Sequence, residues 1–153
     1  LKALSLLPAN QRIQLVIVGR HTKYFKKVDA FVRTSGLTND VIFINEVKFA
    51  ELPAMYQMAS AFIYPSIFEG FGIPLLEAAE SEVPIITSTG SCFKEAAGND
   101  AIYIDPLNSM ELSEAIIAVL NADQSERIRK QKVHARKFWP EQSSKNMIAF
   151  YES

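Results

Sequence analysis

The alternation of apolar runs is the strongest constraint on how this chain can fold. Five short β-branched or aromatic runs, QLVIVG at 14–19, VIFI at 41–44, AFIYPS at 61–66, VPIITS at 83–88 and AIYIDP at 101–106, alternate with longer stretches at 22–35, 49–59, 72–81 and 91–97. Most of these longer stretches carry apolar residues at helical spacing, as in Phe25, Val28, Phe31 and Val32, or Leu52, Met55, Tyr56 and Ala59. The alternation predicts βαβ units, and hence an α/β domain with a parallel sheet covered by helices on both faces. Beyond Pro106 the pattern becomes helical: Ser109 is placed to cap a helix carrying Leu112, Ile116, Val119 and Leu120, and further helices are predicted around 123–138 and 141–151.

At 153 residues and 48% hydrophobic content, the chain reads as one globular unit with a sizeable core. Its 16 basic and 17 acidic residues give a net charge of −1, which favours neither a nucleic acid nor an anionic membrane as the main partner. The cluster Arg127, Arg129, Lys130, Lys132, Arg136 and Lys137 fits a solvated helix face. Cys92 has no second cysteine to pair with, and His21 and His134 complete no zinc spacing, so a reducing cytoplasm is the natural compartment. No apolar run approaches the ~20 residues of a membrane span. The first residue is Leu1, and LKALSLLP reads as the latter part of an amphipathic helix, the expectation being a fragment of a longer protein.

The segment FEGFGIPLLEA, residues 68–78, carries the chemistry. It follows the strand that ends at Pro65, holds Glu69, Gly70 and Gly72 in a loop, and places Pro74 where a first-turn proline is tolerated. Glu77 is therefore expected in about the first turn of the following helix. Ligands of open α/β sheets bind in the crevice at the carboxyl ends of the strands, and glycines there let a phosphate or sugar approach backbone N–H groups. A carboxylate accepts from two vicinal hydroxyls, so Glu77 suits a ribose diol and Glu69 a hexopyranose ring. An acid in a first turn can also simply favour the helix dipole, and for Glu77 alone that account suffices. Two acids flanking two glycines and Phe71, after Pro65-Ser66, ask for more. From Glu51 to Phe93 there is no Lys or Arg, so an anion bound here must be held by backbone donors or by cations from elsewhere.

PSIFEGFGIPLLEA resembles the signature of the retaining glycosyltransferases of family four and their GT-B-fold relatives, in which two glutamates flank a Gly-Phe-Gly turn. In order along the chain, QLVIVG, VIFINEV, VPIITSTGSCFKEAAGNDAIYIDP and KFWPEQS resemble further segments of that family. The resemblance implies the C-terminal, Rossmann-like, doubly wound half of a GT-B fold, binding a nucleotide-diphosphate sugar. It implies that Glu69 faces the transferred sugar, that Gly70, Phe71, Gly72 and Ile73 line the sugar and diphosphate with backbone, and that Glu77 holds the ribose. Gly19 and Arg20 would line the diphosphate side and Val47 would flank the base; Arg20 as an ordinary loop cation and Val47 as a core-edge residue are the plainer alternatives.

The chain departs from the family pattern at Glu82, where a Gly commonly ends the helix, and at Lys94, near which a Pro is common. Lys94 either adds a cation to the site or pairs with Glu95 on the surface. The family has a further central strand, an Arg and Lys pair and an acceptor-binding domain upstream of the segment matched here. A gap in the sheet between strands 14–19 and 61–64 is therefore expected, and direct pairing of those two would contradict it. The activity implied is transfer of a hexose from a UDP- or GDP-sugar, such as GDP-mannose, to an acceptor hydroxyl with retention, in polysaccharide or glycolipid assembly. No metal or other cofactor is expected, since the chain lacks an Asp-x-Asp and its acids are not clustered. The location implied is cytoplasmic, with any membrane contact made through the N-terminal half or a lipid acceptor. A nucleotide-sugar epimerase or a phosphorylase on the same fold, and a non-catalytic α/β ligand-binding module, are the alternatives.

Overall fold

In the computed structural model, which describes residues 1–151, the five apolar runs form β1 (Leu15–Val18), β2 (Val41–Ile44), β3 (Phe62–Tyr64), β4 (Ile85–Ser88) and β5 (Ile102–Ile104). The helices are α1 (Lys2–Leu6), α2 (Phe25–Thr34), α3 (Leu52–Met58), α4 (Ile73–Glu80), α5 (Phe93–Ala97), α6 (Ser109–Asn121), α7 (Ser125–Ala135) and α8 (Pro140–Tyr151). All pairings are parallel, as successive strands joined through helices require. They fall into two ladders: β1 pairs with β2, and β3, β4 and β5 pair in that order. Among the described residues no ladder joins β1 to β3, which is where the gap was expected.

Successive strand residues point to opposite faces, and the two faces are covered by different helices. On one face Leu15, Ile17, Val41, Phe43, Ile63, Ile86 and Ile104 pack with Ala3 and Leu4 of α1, Val32 of α2, and Ala115, Ile116 and Val119 of α6, so both ladders contribute to one core. On the other face Phe62, Tyr64, Ile85 and Tyr103 pack with Leu75, Ala78 and Ala79 of α4, Phe93 of α5 and Ala135 of α7. Every residue of β4 is buried, which explains the continuous run IITS: a central strand covered on both sides needs no polar alternation. The β1–β2 ladder is covered on one side; Val16, Val18 and Ile42, on the alternate positions, are exposed.

Two helix starts differ from expectation by local chemistry. Asn108, not Ser109, caps α6, its side chain accepting from the N–H groups of Met110 and Glu111 while Ser109 is the first helical residue. The left-handed backbone of Gly72 (φ 94°) starts α4 at Ile73, with Pro74 second, so Glu77 lies in the second turn rather than the first. At the other end of α4, Glu82 itself takes the left-handed position (φ 60°) that a glycine ordinarily fills. The helix closes there all the same, with the N–H of Val83 bonded to the carbonyl of Ala78 at 3.2 Å.

Candidate active site

The loop from β3 to α4 is fixed by bonds from three directions. Thr87 Oγ1 on β4 donates to the carbonyl of Tyr64 at 3.0 Å, anchoring the strand end. Ser66 Oγ donates to Glu69 Oε1 at 2.9 Å. From the loop after β4, Ser91 Oγ (3.2 Å) and Cys92 Sγ (3.4 Å) both donate to the backbone carbonyl of Glu69. The Tyr64 phenol, also hydrogen-bonded to Glu69, is pushed up to about 12, first by burial and then by the carboxylate beside it. Glu69 is thus half-buried and held at both its carboxylate and its main chain.

The two glycines of the turn play different parts. Gly70 is exposed, and a Cβ there would meet nothing within 4 Å, leaving open space beside its backbone. Gly72 is buried, and a Cβ there would lie 3.0 Å from Leu75 Cδ1. One glycine leaves room for a ligand; the other is required by the fold. Phe71 turns its ring onto Phe138 (centroids 5.1 Å apart, 67° between planes), which leaves its backbone as the part that can serve a ligand. Pro74 has no N–H and that of Leu75 bonds to the Gly72 carbonyl at 2.9 Å, so the N–H of Ile73 is the donor left at the helix start. The Ile73 side chain is exposed.

Glu77, half-buried on α4, accepts from the hydroxyl of Tyr56 at 2.9 Å. Burial and the neighbouring carboxylate push the Tyr56 phenol well above its ordinary value. Among the described residues no cation pairs with Glu69 or Glu77. Nor, among the described residues, does a carboxylate pair with Lys94, so the surface pair with Glu95 does not form and the exposed ammonium of Lys94 stays available at the start of α5.

Gly19 and Arg20 occupy the end of β1, both exposed. The Gly19 N–H bonds to the carbonyl of Ile44 (3.0 Å), and the N–H of His21 to Asn45 Oδ1 (2.8 Å), which ties this loop to the one after β2. Val47, half-buried in that second loop, precedes the short 3-10 turn Phe49–Glu51 that leads directly into α3 and Tyr56. The structure therefore gathers Glu69 to Ile73 with Tyr64, Ser66, Ser91 and Cys92, and joins Glu77 through Tyr56 to the segment carrying Val47. No hydrogen bond found among the described residues links Gly19 or Arg20 to the motif. Ser66 was legible three positions before Glu69; Tyr56, 21 positions before Glu77, gave no local signal.

A parallel α/β domain with paired acids about a glycine turn at a strand end has a counterpart among known families. The model of the family described as glycosyl transferases group 1 matches residues 1–138. The chain belongs to that family. Among its relatives, the O-antigen chain mannosyltransferase RfbU of Salmonella typhimurium is 40% identical over 102 residues, which are 67% of this chain and 29% of that protein. The O-antigen chain mannosyltransferase B of Escherichia coli is 35% identical over 81 residues, 53% of this chain and 21% of that protein. The chain thus spans less than a third of the length of either relative. In fold it is similar to Anabaena Alr3699/HepE, crystallised with UDP and glucose (TM-score 0.84, 20% identity, 97% of this chain and 42% of that one). It is also similar to the C-terminal domain of the group 1 glycosyl transferase LpcC of Francisella tularensis (TM-score 0.77, 20% identity, 90% and 75%). No helix among the described residues is long and apolar enough to cross a membrane.

Proposed function

We propose that this chain is the donor-binding part of a mannosyltransferase that takes a nucleotide-diphosphate hexose, such as GDP-mannose, and transfers the hexose with retention to an acceptor hydroxyl in polysaccharide or glycolipid assembly. The observation that carries this reading is the pair of acids on either side of Gly72: Glu69 is held by Ser66 and Glu77 by Tyr56, each with carboxylate acceptor capacity left over and neither neutralised by a cation. Such acceptors suit the hydroxyls of two different parts of one donor, Glu69 the sugar and Glu77 the ribose. The names of the mannosyltransferase relatives favour mannose, and the UDP bound by the HepE structures favours a nucleotide-diphosphate donor.

In transfer, the bond from the sugar to the diphosphate breaks and negative charge develops on the leaving phosphate. Preorganised donors stabilise such charge, and here the N–H of Ile73 and the open backbone at Gly70 stand beside Glu69 for that purpose. Arg20, two residues after β1, and Lys94, on α5 after β4, would complete the neutralisation. The reading assigns no step to a metal. The acceptor would be bound by an N-terminal domain, and the 153 residues alone would transfer nothing. A cytoplasmic location, with membrane contact made through that other domain or a lipid acceptor, belongs to the same proposal.

Calorimetry with UDP, GDP and ADP tests the reading: one of them should bind saturably, and a folded sample that binds none would overturn it. Glu77→Gln should then weaken binding by about 1.5–3 kcal/mol, the size of a hydrogen bond to a charged group. Glu69→Gln should leave nucleotide affinity near wild type while lowering transfer by the whole polypeptide.

A further inference from the structure

We propose that Tyr56 is a positioning residue for the donor's ribose, pinning one oxygen of Glu77 so that the rest of the carboxylate is presented to the diol. The inference rests on the ribose role given to Glu77 above.

The geometry for this is specific. Glu77 has a flexible side chain, and its Oε2 is fixed by the Tyr56 hydroxyl at 2.9 Å, across from α3 to α4. The tyrosine ring is itself held, edge-on to Phe62 of β3 (5.1 Å, 68°), within the core cluster that includes Tyr64 and Leu75. A carboxylate offers about four acceptor positions. A single O–H uses one of them and leaves Oε1, with no donor among the described residues, for the ligand.

A phenol also does what an arginine at this place would not. It orients the carboxylate without cancelling its charge, and the segment from Glu51 to Phe93 contains no Lys or Arg that would. The acidic Glu77 and the buried surroundings both keep the phenol protonated, so it remains a donor. Tyr56 also connects two parts of the proposed site, because α3 follows directly from the segment of Val47, on the side given to the base.

The test is titration calorimetry on the whole natural polypeptide that contains these residues, using GDP, UDP and the 2′,3′-dideoxy form of each, with wild type and Tyr56→Phe. The variant keeps the ring and its packing on Phe62. Wild type should prefer the ribose form of whichever nucleotide binds. Tyr56→Phe should lower affinity for that form by about tenfold, the loss of roughly one charge-assisted bond. Its affinity for the dideoxy form should be unchanged, which also shows that the variant is folded. If both forms weaken equally, or the ribose preference survives undiminished, Tyr56 is only a tie between helices and the inference falls while Glu77 keeps its role. A wild type without ribose preference, or without binding to either nucleotide, overturns the role of Glu77 and this inference together.

Discussion

Gly72→Ala should separate what the fold needs from what the ligand needs. At φ 94° a Cβ occupies left-handed backbone, which costs about 1–2 kcal/mol for an L side chain. The added methyl would also sit 3.0 Å from Leu75 Cδ1, and Leu75 is 0% exposed, so its side chain has nowhere to retreat. Overpacking of that kind costs about 1–3 kcal/mol. Together these predict a loss of about 2–5 kcal/mol, or a fall in Tm of roughly 5–15 °C for a domain of this size. Gly70→Ala is the matched control: no left-handed φ and no neighbour within 4 Å, hence a stability within about 0.5 kcal/mol of wild type. That same methyl would project into the space left beside the backbone and weaken nucleotide-diphosphate-sugar binding. Thermal unfolding by circular dichroism reads the first effect and calorimetry the second. Equal Tm values for the two variants would refute the assignment of Gly72 to the fold and Gly70 to the ligand.

The other predictions concern stability away from the turn. Asn108→Ala should cost about 1 kcal/mol by removing the cap of α6, whereas Ser109→Ala should cost little; denaturant midpoints that reverse this order would return the cap to Ser109. Glu126, on α7 beside Arg129 and Lys130, is held down to about 2, below its ordinary 4.5, chiefly by the hydrogen bond from Arg129. A depressed carboxylate stabilises the fold above its unfolded value and loses that contribution as pH falls through its folded one. The small stability gap between wild type and Glu126→Gln should therefore be full at pH 7 and shrink below pH ~4.5, and a gap constant down to pH ~2.5 would count against the ion pair.

The strands were legible because β-branched and aromatic residues crowd into short runs, and a strand buried on both faces, such as β4 with Ile85, Ile86, Thr87 and Ser88, carries no alternation of apolar and charged positions. Helix starts were less legible. In Asn108-Ser109 two cap-competent residues adjoin, and which one accepts from the first turn depends on a backbone bend that composition does not encode. In the motif, Pro74 suggested a start that would put Glu77 in the first turn, but the left-handed Gly72 moves the start to Ile73 and Glu77 to the second. That one-residue shift, which carries Glu77 past the first turn, matters to the chemistry. A first-turn acid can be explained by the helix dipole alone, whose influence fades beyond the terminal turn, whereas the second-turn Glu77 needs another reason to be there.

Long-range partners explain why the site was only half legible. Glu69, Glu77 and the glycines stand together in sequence, and so does Ser66, but Tyr56 and Cys92 reach the motif only through the packing of α3 and α5 around β3 and β4. These partners share a property: every donor found on the two carboxylates is a neutral hydroxyl. A site built to hold its acids in place by ion pairs would have used Lys or Arg, and from Glu51 to Phe93 there is neither. Neutral donors fix the geometry of an acid while leaving its charge for a ligand. By the same token they do nothing to attract a diphosphate, so the cations must come from other segments, and the proposed reading gives that part to two exposed residues, Arg20 after β1 and Lys94 on α5. Neutralising both, as Arg20→Gln with Lys94→Gln, should therefore weaken a nucleoside diphosphate far more than the corresponding nucleoside in calorimetry at low salt. An equal effect on both ligands would show that these cations do not serve the diphosphate.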